Sequence, residues 1–261
     1  LIEELVRDYH INVVQYYDWM WRHEKVVPSG AADSWIDMFG NTISKDSITQ
    51  RINAGHLLNQ SAMAYQMAYM AREDYEDYAV KKEWGLYKNK DYNTSYNETD
   101  NSTINDIDQL IFPLEGDPAP VLHVFNPENK AWQEFMLNQY EDAIDLLGFD
   151  GIHIDQMGSY WGNIDYYDYN GNYVDLGKTF PGYVDTIKAG LENKYSAGAY
   201  VTMNMVNGGT PANDSFSSEY ITKYADTDFS FSEIWENSNT YNDLKSFIEW
   251  SRDNSDGKAM C

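Results

Sequence analysis

The stretch GFDGIHIDQMG, residues 148–158, constrains the fold of this chain more than any other. Phe149, Ile152 and Ile154 give it the apolar, β-branched character of a strand packed on both faces, as strands of parallel sheets are. Gly148 and Gly151 let the backbone bend or approach a neighbour closely. Asp155 then stands where the strand runs out. A carboxylate at the C-terminal end of a parallel strand lies on the open face of an α/β barrel, where such barrels carry out their chemistry. DFSFSEIWE, residues 228–236, repeats the pattern, with Glu233 near the strand's end and Trp235 beside it.

The surrounding segments alternate between helix and strand. Ile2, Leu5, Val6 and Tyr9 have the three-four spacing of an amphipathic helix, and Ile11 to Tyr17 is β-rich. A helix is expected over 46–58 and a strand over 61–69. A longer helix, 129–147, buries Trp132, Phe135, Met136, Ala143 and Leu147 and runs straight into the Asp155 strand. Further on, helices are expected near 183–194 and 241–250, the latter packing Leu244, Phe247 and Ile248, and strands at 200–206 and 229–235. Helix and strand in alternation through short connections is α/β grammar. The expected fold is a (β/α)8 TIM-type barrel, incomplete here: about five strands lie on the barrel line where eight close one, so strands are expected before Leu1 and after Cys261. An open doubly wound sheet is the rival fold. No Gly-rich phosphate loop follows any strand, so nucleotide binding has no support. Residues 1–261 read as one catalytic barrel core, interrupted at about 73–120 by a polar surface excursion in which Asn93, Asn97 and Asn101 open N-x-S/T triplets.

Composition narrows the partners. With 42 acidic against 18 basic residues the net charge is -24, which argues against nucleic acid or an anionic membrane as ligand. No apolar run reaches 18 residues, so no membrane insertion is expected. The single cysteine, Cys261, excludes an internal disulfide and a C-x-x-C metal site. LIEELVRDY at the start reads as a helix and not as an export segment, so the chain is expected to be part of a longer protein.

Asp155 and Glu233 are the leading candidates for catalysis. Two carboxylates on separate strand ends, amid many aromatic rings, suit cleavage of a sugar bond: one attacks the anomeric carbon and the other protonates the leaving oxygen. A structural role as turn or helix cap is the alternative for either acid alone. Trp235 and Phe231 can desolvate Glu233. After the first strand, Tyr17, Asp18, Trp21 and His23 form a polar-aromatic cluster in which Asp18 can clamp sugar hydroxyls and Trp21 can floor a subsite; Arg22 can instead pair with Asp18 and simply hold the loop. Asn204 and Asn207 donate and accept hydrogen bonds, as sugar hydroxyls require. His153 faces the same side as Asp155, two residues before it, and serves equally well as a core histidine. Asp18, His23, His123, His153 and Asp155 match no recognised metal-ligand spacing, so no metal or other cofactor is expected. No G-x-S-x-G elbow supports a serine hydrolase.

YYDWMWRH (16–23), AMAYQMAY (62–69), FNPENKAWQ (125–133), GFDGIHIDQMG (148–158) and FSEIWE (231–236) together resemble glycoside hydrolase family 66, the dextranases and cycloisomaltooligosaccharide glucanotransferases. The resemblance implies a retaining (β/α)8 barrel flanked by β-rich domains and acting on α-1,6-linked glucans. It implies Asp155 as nucleophile and Glu233 as acid/base. Tyr17 and Asp18 match the substrate-binding strand end, and Tyr65, Asn204 and Trp235 match positions lining the sugar cleft. Gln156, next to the nucleophile, is added to the substrate-binding set. The main expectation is retaining endo-hydrolysis of dextran through a covalent glucosyl-enzyme. The alternatives are a cyclising or transferring α-1,6-glucan glucanotransferase, which uses the same residues, and a carbohydrate-binding barrel without turnover. A polymeric substrate too large to enter a cell places the protein outside the cell or on its surface.

Overall fold

The fold was obtained as a computed structural model, which describes residues 2–29, 32–88, 109–114, 121–155, 165–196, 198–205, 218–233 and 240–261. Five parallel strands form one sheet: β1 (Val13–Tyr16), β4 (Ser61–Met67), β8 (Gly151–Asp155), β9 (Tyr200–Asn204) and β10 (Phe229–Phe231), hydrogen-bonded in the order β1-β4-β8-β9-β10. Spatial order follows chain order without reversal, as in a barrel and unlike a doubly wound sheet. Residues 259–261 continue the arc, with Ser230 N–H donating to Ala259 C=O and Cys261 N–H to Ser230 C=O, both at 2.8 Å. The sheet is therefore an open, incomplete (β/α) barrel. Among the described residues, no helix is long and apolar enough to cross a membrane.

The sheet curls toward one face. Gln15 on β1 bonds His153 on β8 at 2.9 Å, across the intervening β4. His153 also meets Phe231 on β10 edge-to-face at 4.9 Å between ring centroids, although β9 lies between their strands. Strands two apart in a flat sheet lie roughly 9.6 Å from each other, so these contacts record curvature.

The other face is covered by helices: α2 (Lys45–His56), α3 (Lys130–Leu147) and α4 (Leu176–Lys194), with α1 (Ile2–Arg7) against α2 and with α5 (Ser218–Tyr224) and α6 (Tyr241–Asn254) beyond α4. Helix α3 shows how sequence sets these bounds. The Asn129 side chain accepts from the Ala131 and Trp132 N–H groups, capping the first turn. Gly148 ends the helix at φ +85°, a left-handed value that glycine adopts without a Cβ clash. Trp132 stacks on Phe125 at 4.5 Å and donates its indole N–H to Ala68 C=O at 3.1 Å, so the largest buried ring has both its apolar and polar needs met. Two of the apolar positions assigned to helix interiors lie outside: Tyr9, two residues past the end of α1, is 65% exposed, and Ile248 on α6, which buries Phe247 and Ser251 instead, is 48% exposed.

One acid sets the strand register at the N-terminal end of the sheet. Asp150 donates its N–H to Ala62 C=O at 2.9 Å, accepts the Ala62 N–H on its carboxylate at 2.7 Å, and accepts the Tyr200 N–H on its carbonyl at 3.0 Å. Asp228 repeats the clamp on β9, exchanging bonds with Val201 at 2.9 and 2.7 Å. At Gly151 the backbones come so close that a Cβ would lie 2.1 Å from Tyr200 O.

Of the segment 73–120, expected as a surface excursion, residues 73–88 and 109–114 are described. Here β5 (Met70–Arg72), β7 (Val121–Val124) and β6 (Ile111–Pro113) form a separate antiparallel sheet, and Tyr75, Leu86, Tyr87 and Leu110 are buried. These contacts are too far apart in sequence to register as periodicity. The Asn-rich residues 89–108, with Asn93, Asn97 and Asn101, lie outside the described residues. A hairpin of β2 (Ser34–Ile36) and β3 (Thr42–Ser44) precedes α2.

The loop after β1 is tied to this second sheet by a buried ion cluster. Arg22, 2% exposed, pairs with Glu24 and Asp74, and its guanidinium lies 4.0 Å from the Tyr78 ring centroid. Its partner is therefore not Asp18.

Gly151→Ala is expected to cost about 1–3 kcal/mol in chemical unfolding, from overpacking at the β8–β9 approach; an unchanged midpoint and slope would contradict it. Arg22→Leu leaves Glu24 buried without its counter-charge and is expected to cost about 3–5 kcal/mol at neutral pH. Burial already pushes the Glu24 carboxyl up, with Arg22 opposing, so removing Arg22 raises it further. The deficit should therefore shrink as pH falls toward the ordinary carboxylate range and Glu24 takes a proton. A deficit independent of pH would mean that lost packing alone is responsible.

Candidate active site

The β8–β9 ladder pairs His153 with Thr202 and Ile154 with Met203, so the next step along both strands brings Asp155 beside Asn204. On β10, Phe231 pairs with Asn204, and Glu233, two residues later, returns to the same face. The result is a contact that the sequence does not announce. Asn204 donates its side-chain Nδ2 to Asp155 Oδ1 at 2.8 Å and to Glu233 Oε2 at 3.0 Å. Its Oδ1 accepts the Glu233 backbone N–H at 3.0 Å. Two oxygens bound to one nitrogen at 2.8 and 3.0 Å can stand no more than 5.8 Å apart. The expected acids are thus neighbours on one face of the sheet.

Asn204 is fully buried, and both of its N–H bonds are committed to the acids. In this arrangement its amide is turned to the two acids. Asp155 is 5% exposed and Glu233 half-buried.

Tyr65 completes the support of Asp155. Burial raises its phenol well above the ordinary tyrosine range, and the charge and hydrogen bond of Asp155 raise it further. Tyr65 therefore stays protonated and donates to Asp155. Tyr17 stacks on Tyr65 with centroids 4.1 Å apart; its own phenol is raised by burial first, then by Asp155, Glu233 and Asp18. Tyr17 is 42% exposed, so the pair is open to solvent on the Tyr17 side. Asp18 follows at φ +50°, in the left-handed region, exposed; burial of its carboxyl and the nearby Asp37 raise it above the usual range.

Both histidines of the motifs are buried: His153 takes the core alternative, and His23 departs from the loop cluster expected of it. His153 is fully buried beneath Asp155, bonded through Nδ1 to Gln15, and burial pushes it down to about 3. His23 is 1% exposed, packed edge-on against Tyr65 at 6.4 Å, and burial likewise pushes it down to about 3. Both are neutral core groups without access to the cleft, and nothing in a lone His in a polar-aromatic run distinguishes that fate from a ligand. Trp21 is half-buried against Tyr78 at 5.3 Å, next to Arg22. His123 belongs to the antiparallel sheet, bonded to Gln109 at 3.0 Å. Among the described residues no three His, Cys, Asp or Glu side chains gather as a metal site. Gln156, Asn207 and Trp235 lie outside the described residues.

Known proteins carry the same elements. A cycloisomaltooligosaccharide glucanotransferase of Niallia circulans is 40% identical over 265 residues, covering 99% of this chain and 25% of the relative. A cycloisomaltooligosaccharide glucanotransferase of Paenibacillus sp., solved in complex with cycloisomaltoheptaose, superposes with a TM-score of 0.85 at 40% identity over 99% of this chain and 34% of its own. A dextranase of Streptococcus salivarius is 26% identical over 165 residues, covering 58% of this chain and 18% of its own length. The chain thus spans about a quarter of the curated glucanotransferases it matches. These likenesses overturn the expectation of simple endo-hydrolysis of dextran: the relatives that match along the whole chain are glucanotransferases, and the dextranase is more distant and matches only in part. Hydrolysis and transfer share every residue of the motifs, so sequence motifs alone do not separate them. Glycosyl hydrolase family 66 matches from residue 1 to residue 261, and the chain belongs to that family.

Proposed function

We propose that this chain forms the catalytic barrel of a glucanotransferase that cleaves α-1,6-linked glucan chains and rejoins them, chiefly into rings. Likeness to glucanotransferases along the whole chain supports transfer over hydrolysis, and the observation that carries the double displacement is the shared Asn204 amide, which keeps the Asp155 and Glu233 oxygens within 5.8 Å. Retaining enzymes hold their two carboxyl groups about 5–5.5 Å apart and inverting ones roughly 6.5–9.5 Å, so the pair suits retention through a covalent intermediate.

In the first step an Asp155 oxygen attacks the anomeric carbon while its bond to the glycosidic oxygen breaks, and that oxygen takes the proton of Glu233. Asp155 is now a glycosyl ester and Glu233 a carboxylate. In the second step Glu233 takes the proton of an incoming sugar hydroxyl, whose oxygen displaces Asp155 from the same carbon. Two displacements restore the configuration. When the incoming hydroxyl is the C6 hydroxyl at the far end of the same chain, the product is a ring with the linkage type unchanged. The exposed face of the Tyr17–Tyr65 stack supports seating of a sugar ring near the ester, since aromatic faces pack on apolar sugar faces. Tyr17, Asp18 and Trp21 are the described residues proposed to meet glucan, with Gln156, Asn207 and Trp235 added from the motifs. A polymeric substrate places the reaction outside the cell or at its surface, and β-rich domains flanking the barrel are part of the same proposal.

Incubating the whole protein with dextran should yield cyclic isomaltooligosaccharides without reducing ends. Glu233→Gln should slow product formation by about 10²–10⁴-fold, and Asp155→Asn should abolish the covalent glycosyl-enzyme seen by mass spectrometry. Linear products alone, or glucan retained without turnover, would overturn the reading.

A further inference from the structure

We propose that Asn204 is a positioning residue that sets the spacing of the two acids and selects which oxygen of Glu233 carries the proton. This rests on the glucanotransferase reading of the same site and extends it to a residue that touches no substrate.

The orientation of the Asn204 amide is determined from both ends. The Glu233 backbone N–H can only donate, so the atom facing it must be the carbonyl Oδ1. The ionised Asp155 carboxylate can only accept, so the atom facing it must be Nδ2, and the same Nδ2 meets Glu233 Oε2. A flipped amide would set an oxygen against two acids and a donor against a donor.

The geometry of an amide NH₂ then acts as a spacer. Its two N–H bonds diverge by about 120°, so bonds of 2.8 and 3.0 Å along them place the acceptor oxygens about 5 Å apart. Such a separation is what a double displacement needs, and here it comes from a trigonal nitrogen and not from loop packing. The same bond occupies Glu233 Oε2. The proton that Glu233 delivers therefore sits on Oε1.

The charge also moves between the acids during the reaction. Before the first step Asp155 is ionised and Glu233 protonated; after it Asp155 is an ester and Glu233 ionised. One NH₂ bonded to both gives a charge-assisted hydrogen bond in each state. Asn204 therefore supports formation and breakdown of the intermediate alike.

Asn204→Asp and Asn204→Ala in the whole protein test this. Formation and decay of the covalent glycosyl-enzyme are followed by rapid quench and intact-protein mass spectrometry on dextran oligosaccharides, alongside steady-state kcat and KM. Asn204→Asp keeps the size of the side chain and an acceptor for the Glu233 N–H but loses the NH₂. Both half-reactions should fall by about 10²-fold or more in each variant with KM within about twofold of wild type. Asn204→Asp alone decides the matter where Asn204→Ala does not fold. Near wild-type rates in Asn204→Asp would reduce Asn204 to a packing role, and a raised KM with kcat preserved would make it a sugar ligand; either overturns the proposal. If the wild-type protein itself forms no glycosyl-enzyme, the functional reading fails and this proposal with it.

Discussion

Parallel pairing of β8, β9 and β10 in one register is the constraint from which the rest of this site follows. Strand side chains alternate with period two, so a slip of any one of these strands by one residue would turn its own member of the Asp155, Asn204 and Glu233 set to the helix-covered face. The register is clamped at the opposite end of the sheet. Asp150 and Asp228, each just before its strand, exchange two hydrogen bonds with the preceding strand. Gly151 lacks a Cβ that would stand 2.1 Å from Tyr200 O and hold β8 away from β9. Acids at the bottom of the sheet thus fix where acids at the top meet, five residues along β8.

The electrostatic design is anionic and donor-rich. His23 and His153, both buried, are kept neutral, so no cationic ring stands under the acids. Asp155 is stabilised by hydrogen bonds from an amide and a phenol. Neutral donors can hold an ionised nucleophile without pairing away its charge, as a lysine or arginine would. Arg22, the nearest motif cation in sequence to the Tyr17–Asp18 strand end, is spent on Glu24 and Asp74, where it anchors the loop to the antiparallel sheet.

Much of this was legible in the sequence, for physical reasons. Apolar runs ending in Asp155 and near Glu233 and the helical spacing of 129–147 are local signals, and local signals determine where elements lie. The chain-order arc of strands follows from alternating helix and strand. What was hidden depends on long-range contact. Asn204 looks like a sugar ligand from its motif, and only the register of three strands shows that its amide is committed to two acids. His23 resembles its polar-aromatic neighbours in sequence yet is buried. Arg22 lies near Asp18 in sequence, yet its partners are Glu24 and Asp74, the latter 52 residues away. Ile111–Pro113 and Val121–Val124 join Met70–Arg72 in a sheet that no periodicity announces. The choice between water and a sugar hydroxyl as acceptor is decided by the cleft around the ester, and the shared catalytic motifs do not carry it.

The most direct measurement is a crystal structure of the whole, unliganded protein, from which the distance between the Asp155 and Glu233 carboxylate oxygens is read. The account predicts the oxygens bridged by Asn204 no more than 5.8 Å apart, with Nδ2 bonded to both acids and Oδ1 to the Glu233 N–H. Carboxyl groups standing roughly 6.5–9.5 Å apart, or an Asn204 amide turned out into the cleft, would contradict it.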